Sequence, residues 1–317
     1  MSEFDLIARH FVRPTRQTEL GAGDDCALLR PSPGMELAVS TDMLASGTHF
    51  FPDTDPFLLG HKTLAVNLSD LAAMGATPRW AMLAAAIPQA DEAWLAHFSA
   101  GFFALAERYH VDLIGGDTTR GPLNFCVTIF GEVPQGQALR RDGAQSGDEI
   151  WVSGKLGDAA LALAHLQGRI LLGDADRQAC LPALYQPQPR IELGLALRGL
   201  AHSAIDISDG LLADLGHILE CSACAAELEY EALPLSAALR ACPDAALRQQ
   251  CALAGGDDYE LCFTAPAARR TKIEALAAQL MLPLTCIGRI VAGSGCTVRT
   301  ADGSLINSEQ GGYDHFA

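Results

Sequence analysis

The sequence predicts a chain of two domains, each mixing strands and helices. Three observations predict it. At 317 residues the chain is long enough to bury two full cores. Its first part, roughly 135 residues, alternates short apolar runs with long helical patterns. A polar, turn-rich stretch, PQGQALRRDGAQSGDE (134–149), then breaks that pattern before a fresh strand-like run opens. The expected domains are residues 1–137 and 138–317.

The elements follow in chain order. MELAVSTDML (35–44) reads as a strand. TDPFLLGHKTLAVNLSDLAAMGATP (54–78) reads as a long helix: Thr54 or Asp55 can cap it, Pro56 suits its first turn, and Gly75 with Pro78 ends it. WAMLAAAI (80–87) is strand-like. In the helix that follows (91–110), Trp94, Phe98, Phe102, Leu105 and Tyr109 form one apolar stripe, which is core. VDLI (111–114) and LNFCVTIFGEV (123–133) are strands, the second with Leu123, Phe125, Val127 and Ile129 on one alternating face. Beyond the boundary, IWVSG opens a strand and KLGDAALALAHLQG a helix, YQPQPR (185–190) breaks the chain, and SAIDISDGLLADLGHILE (203–220) reads as strand, tight polar turn, helix. The tail alternates short strands and turns to GGYDHFA.

Composition excludes several function classes. The formal charge is −16, from 38 acidic against 22 basic residues, which argues against a nucleic-acid partner held by a basic footprint. The start, MSEFDLIARHFV, lacks the basic and apolar blocks of a secretory signal. The densest apolar run, WAMLAAAIP (80–88), is far short of the roughly 18 residues that a membrane span requires. The ten cysteines show no small-scaffold spacing and read as reduced thiols in a cytoplasm. Cys221 and Cys224, with His217 a turn earlier, have partial zinc spacing without a second pair, and read as helix packing.

The chemistry-bearing residues are aspartates. Asp24, Asp25, Asp42, Asp70, Asp117, Asp206, Asp209, Asp257 and Asp258 sit beside apolar or glycine-rich sequence, in or next to turns for the most part, with Asp42 inside the strand-like run 35–44 and Asp70 inside a helix. Ser40 and Thr41 put two hydroxyls ahead of Asp42, and Asn67 lies one turn from Asp70 on the same helix face. Each alone also reads as a turn or capping residue. Together they raise an electrostatic problem. Two carboxylates about 4 Å apart repel by roughly 4 kcal/mol at an effective dielectric of 20, so a converged cluster would need cations. Hard oxygen ligands favour Mg2+ over zinc, and Mg2+ prefers a few carboxylates plus substrate phosphates. That pattern points to phosphoryl chemistry. The usual nucleotide motifs are missing: SGKLGD (153–158) has Leu where a P-loop needs a hydroxyl, and GAGDDC has Cys26 at the third glycine position.

GAGDDCALL, STDML with His49 following, KTLAVNLSDLAAMGATP, LIGGDTTRGP, AIDISDGLLADLGHI and GGDDYELCF occur in this order. Over essentially the whole chain they resemble the thiamine-monophosphate kinases, of the ATP-binding superfamily that includes aminoimidazole ribonucleotide synthetase, selenophosphate synthetase and a hydrogenase maturation protein. The resemblance implies an α+β, two-domain synthetase-like fold, in which N-terminal mixed sheets form a barrel across a homodimer and a C-terminal α/β domain completes each cleft. It implies ATP-dependent phosphorylation of thiamine monophosphate to thiamine diphosphate, in the cytoplasm, with several Mg2+ ions. By motif, Asp25, Ser40, Thr41, Asp42, Asp70, Asp117, Asp206 and Asp209 match metal ligands. Gly116, Asp117, Arg141 and Ser208 match the ATP site, and His49, Asp257 and Tyr313 match substrate contacts. Asp42, Asp117 and Arg141 carry the catalytic expectation. Asp257 departs from the family, which commonly has Glu there.

A rival within the superfamily, selenophosphate synthetase, would want a reactive Cys in an N-terminal glycine-rich loop, and the first Cys is Cys26. A purine-pathway synthetase would phosphorylate an amide oxygen. A non-catalytic nucleotide or Mg2+ sensor would bind without turnover.

Overall fold

The computed structural model describes residues 3–306, so Tyr313 lies outside the described residues. The chain divides into two compact units, one running to Leu71 and over Ala76–Gly136, the other comprising Ala72–Gly75 and the chain from Gln137. The fold is α+β.

The first unit holds helix α1 (Glu3–His10), strand β1 (Met35–Ala45), α2 (Pro56–Ala73), β2 (Thr77–Ile87), α3 (Glu92–Arg108), β3 (Asp112–Arg120) and β4 (Asn124–Pro134). The strands form an open four-stranded sheet in the order β1-β4-β2-β3. Pairing is antiparallel except between β2 and β3. Asp55 starts α2, its carboxylate accepting the N–H groups of Phe57 and Leu58. Asp91 does the same for α3. Gly75, at φ +63°, follows the helix end.

Period-two alternation decides which face the helices cover. Phe125, Val127 and Ile129 of β4 are fully buried, and Phe98 of α3 stacks on Phe125 with ring centroids 4.3 Å apart. Gly60 of α2 lies so close to the Phe98 carbonyl that a Cβ would sit 2.0 Å from its oxygen. The apolar stripe expected on α3 is therefore core, with Phe98, Phe102, Leu105 and Tyr109 buried. The other sheet face keeps apolar side chains exposed, Val39 at 54% and Met43 at 57%.

The strand expected at 111–114 extends to Arg120, so Asp117 lies within a strand, as does Asp42. Asp117 was expected in a turn, whereas Asp42 falls within the strand expected at 35–44. Ala84 to Ile87 of β2 pair with Asp117 to Arg120, and the β-branched Thr118 and Thr119 suit that extension past two glycines.

The second unit carries a seven-stranded mixed sheet. Its members are β5 (Asp148–Ser153), β6 (Ser203–Asp206), β7 (Ala225–Glu229), β8 (Leu261–Pro266), β9 (Leu284–Val291), β10 (Gly295–Arg299) and β11 (Leu305–Ile306), in the order β11-β10-β7-β9-β5-β8-β6. Helices α4 (Asp158–Leu166), α5 (Asp174–Tyr185), α6 (Ile191–Leu197), α7 (Leu211–Ser222), α8 (Ala237–Ala241), α9 (Ala245–Ala254) and α10 (Arg270–Leu280) complete it. Ile150, Val152, Ile205, Leu215, Ile218, Cys262 and Ile287 form part of one continuous core. Both sheets are open among the described residues.

Candidate active site

In the first unit, the strand period sends Ser40 and Asp42 to the helix-covered face, while Asn67 and Asp70 project from α2 one turn apart. The four meet. The Ser40 hydroxyl donates to Asp70 Oδ2 at 2.5 Å, and the Asp42 N–H donates to Asn67 Oδ1 at 3.1 Å. Asn67 is held in turn by its own Nδ2 bond to the Thr63 carbonyl at 3.1 Å. Most of α2 is buried, but Asp70 is half-buried, as are Ser40 and Asp42. An acidic side chain in an apolar helix is thus placed where a strand presents oxygen groups to it.

The same alternation turns Thr41 to the opposite face, where its hydroxyl lies 2.8 Å from that of Thr128. Asp117 is also removed from the cluster. Asp42 pairs with Val127, Val127 with Leu83 and Leu83 with Gly116. Asp42 and Gly116–Asp117 therefore stand on opposite edge strands, roughly 14 Å apart at the usual strand spacing. Gly116 is obligatory where it is. Its φ is +148°, and a Cβ would lie 1.8 Å from the Leu83 carbonyl oxygen. His49 is half-buried, its Nδ1 accepting the Ala45 N–H at 3.0 Å. Asp25 is exposed in the loop before β1, and its N–H donates to the Asp24 carboxylate at 2.9 Å.

In the second unit, Asp206 ends β6 and is buried. The three residues after Ile207 turn tightly around one oxygen. Ser208, Asp209 and Gly210 each donate a backbone N–H to Asp214 Oδ2, at 3.0, 3.0 and 3.1 Å. Burial pushes the Asp214 carboxyl up to about 7 despite those donors, and the Asp209 carboxylate adds to the rise. The turn is also stitched to the GGDDY stretch: Asp257 N–H to Ser208 carbonyl at 2.8 Å, Tyr259 N–H to Ile207 carbonyl at 2.7 Å, Ile207 N–H to Glu260 carbonyl at 2.8 Å. Asp257 takes φ +69°, a region that Asp tolerates better than most residues. Arg141 is exposed, while the neighbouring Arg140 is committed to Asp142 through two bonds of 2.9 and 2.6 Å.

The other acids of this stretch hold structural partners, Asp258 a backbone group and Glu260 two side chains. Asp258 accepts the Gly157 N–H at 2.9 Å, and its burial raises its carboxyl well above the ordinary range. Glu260 takes the Ser153 hydroxyl at 2.5 Å and Arg190 Nε at 2.6 Å. The SGKLGD turn offers no phosphate cradle, because the N–H groups of Gly154 and Leu156 donate to the carbonyls of Pro283 and Pro234 and that of Gly157 to Asp258.

Among the described residues, no group of three or more His, Cys, Asp or Glu side chains converges as a ready metal site. The helix packing expected of this pair does not hold as such: Cys221, in the last turn of α7, is exposed, and Cys224 is buried but lies past the helix end at Ser222. Sequence reasoning missed Asp214 and the Arg190–Glu260 pair. For Asp214 a signal existed, a carboxylate in the first turn of a helix just after an Asp-Gly turn, where it can fold back on unpaired N–H groups.

Two family models cover most of the chain: AIR synthase related protein, N-terminal domain, over residues 23–133, and its C-terminal domain over 145–301. Thiamine-monophosphate kinase of Escherichia coli O157:H7 is 51% identical over 321 residues, covering 99% of this chain and 98% of the relative. The chain belongs to the thiamine-monophosphate kinase family. Within that family, the crystal structure of the Stenotrophomonas maltophilia K279a kinase matches with TM-score 0.86 at 52% identity, over 96% of each chain. AaThiL complexed with AMPPCP and TMP matches with TM-score 0.79 at 29% identity, covering 99% of this chain and 96% of that one.

Proposed function

We propose that this chain transfers the γ-phosphoryl group of ATP to thiamine monophosphate, giving thiamine diphosphate and ADP. The observation that carries this reading is the 51% identity, over nearly the full length of both chains, with a thiamine-monophosphate kinase. The AaThiL structure, which holds an ATP analogue and TMP, supports the substrate pair.

The residues fit Mg2+ by donor chemistry. Ser40, Asp42 and Asp70 offer only hard oxygen atoms, and two of them already touch. Mg2+ takes few protein carboxylates and completes its shell with waters and phosphate oxygens, so a closed cage of side chains is unnecessary. In this reading Asp25, Ser40, Thr41, Asp42, Asp70, Asp117, Asp206 and Asp209 hold several ions. The metal, when bound, supplies charge neutralisation between two anions. Arg141 shares that task, and Gly116, Asp117 and Ser208 contact the nucleotide. His49, Asp257 and Tyr313 contact thiamine monophosphate.

The acceptor is a phosphate monoester, whose second pKa is about 6. Its attacking oxygen is already an anion at neutral pH, so the chain needs no general base. Positioning and electrostatics suffice, and transfer is in line without a phosphoenzyme.

The assembly proposed is a homodimer. The uncovered sheet face, with Leu37, Val39, Met43 and Met82 exposed, and the two open sheet edges are what a barrel across two copies would bury. A monomeric mass by light scattering at micromolar concentration would contradict it. The ten free cysteines suit a cytoplasmic location; no described helix is long and apolar enough to cross a membrane.

Chromatography after incubation with ATP, Mg2+ and thiamine monophosphate tests the function. Thiamine diphosphate and ADP should form in equal amounts. Nucleotide binding without product, or phosphorylation of the purine-pathway amide substrate instead, would overturn the assignment.

A further inference from the structure

Two buried carboxylates in the first unit are committed to the ends of one exposed loop. Asp112, at the start of β3, is 7% exposed, and Glu132, near the end of β4, is 2% exposed. Asp112 accepts the N–H of Arg16 at 3.0 Å, the N–H of Gln17 at 2.8 Å and the hydroxyl of Thr18 at 2.9 Å. Glu132 accepts the N–H of Ser32 at 2.6 Å and its hydroxyl at 3.1 Å. Arg79 of β2 joins the two ends: its Nε donates to Glu132 at 2.8 Å and its Nη1 to the side-chain carbonyl of Gln17. The Gln17 amide also donates to the His110 carbonyl at 2.6 Å.

Between these feet runs the segment 19–31, which contains GAGDDC and is mostly exposed. Its internal ties include a backbone pair between Leu20 and Leu28, the Asp25 N–H bond to the adjacent Asp24 carboxylate and an exposed ion pair between Arg30 and Glu19 at 2.8 Å. None of these would fix the tip: exposed ion pairs contribute little, and Gly23, at φ +124°, is a residue with wide backbone freedom. Charge-assisted bonds from buried carboxylates are the strong ones here, and they act only at the feet. Fastening both ends of a loop shrinks the set of conformations its tip can reach.

We propose that Asp112, Arg79 and Glu132 form a clamp that fixes both feet of the 19–31 loop and so presents Asp25 to the metal and phosphate groups. They are positioning residues, since none of them is placed at the reacting atoms. The inference rests on Asp25 being a metal ligand.

The test uses the full chain with Glu132→Gln and Asp112→Asn, and with Arg79→Lys as a milder variant should either fold poorly. Hydrogen–deuterium exchange in peptides covering 19–31 should accelerate about tenfold or more, with β1 and β4 peptides unchanged. The Mg2+ concentration for half-maximal turnover should rise about tenfold, the scale of losing a group that orients a metal ligand, with kcat at saturating Mg2+ kept. Asp25→Asn serves as the control, expected to raise the Mg2+ requirement without loosening the loop. Unchanged exchange in 19–31, or equal acceleration throughout the sheet, overturns the clamp. So does a loosened loop with an unmoved Mg2+ requirement when Asp25→Asn moves it. Failure of the ligand reading shows separately, as an Asp25→Asn variant with a normal Mg2+ response, and the clamp is then decided by exchange alone.

Discussion

The backbone N–H of Asp257 donates to the carbonyl of Ser208 at 2.8 Å, so the proposed substrate segment and the proposed nucleotide segment are fastened main chain to main chain. Gly256 sits at the seam, where a Cβ would lie 2.6 Å from the Ser208 carbonyl oxygen. Gly256→Ala must push the two segments apart, and KM should rise for both ATP and thiamine monophosphate. Asp257→Asn keeps the backbone bond and tolerates the positive φ. It should raise KM for thiamine monophosphate alone, by about tenfold, which corresponds to roughly 1.4 kcal/mol. Steady-state kinetics with each substrate varied in turn distinguishes the two patterns.

Asp42, Asp70 and Asp117 can be replaced by Asn with little change in volume. Each replacement should lower kcat by roughly 100- to 1,000-fold, the scale of losing one electrostatic contact to the transition state. The thermal midpoint should move by only a few degrees, since no buried apolar surface is lost. Near-normal turnover in Asp42→Asn and Asp117→Asn would remove both from the site.

Asp214 holds the N–H groups of Ser208, Asp209 and Gly210 with one oxygen. Asp214→Ala strands them, and the buried Gly210 donor alone should cost about 1–3 kcal/mol. Asp214→Asn leaves an oxygen in place and should recover most of the loss. Urea unfolding measures the stability, and the KM for ATP reports whether the turn keeps its shape.

Much of the fold was legible and the site less so. Asp55, Pro56 and Gly75 mark α2, and the stripe from Trp94 to Tyr109 marks α3, because capping and helical periodicity act locally. Asn67 and Asp70 could be placed on one helix face for the same reason. That Ser40 meets Asp70 depends on strand–helix packing between residues distant in sequence, which no spacing encodes. Asp117 read as a turn residue because two glycines precede it, yet pairing to β2 keeps it extended. Asp214 went unread because a carboxylate in a first helical turn is common, and the turn it encloses takes shape only in three dimensions. The proposed barrel would rest on contacts between copies, which spacing within one sequence does not encode; in the structure the exposed Val39 and Met43 are what support it.

Acid should weaken the first unit through Glu132. Burial works to raise its carboxyl, but hydrogen bonds from Ser32 and Arg79 and the Arg79 charge outweigh it and hold the group below the ordinary 4.5. A carboxyl lowered in the folded state adds stability that is present above its unfolded value and lost as pH falls through the folded one. The thermal midpoint of the native chain should therefore drop as the pH falls below about 4.5, and Glu132→Gln should drop less steeply. Scanning calorimetry across that range checks the sign.

In the proposed reaction phosphorus passes directly from ATP to the monophosphate, with no side chain as an intermediate carrier. The most direct measurement uses ATP made chiral at the γ-phosphorus with oxygen isotopes and follows the label into thiamine diphosphate. A single in-line transfer predicts label in the terminal phosphate with inverted configuration. Retained configuration, or label released only as inorganic phosphate, would contradict it.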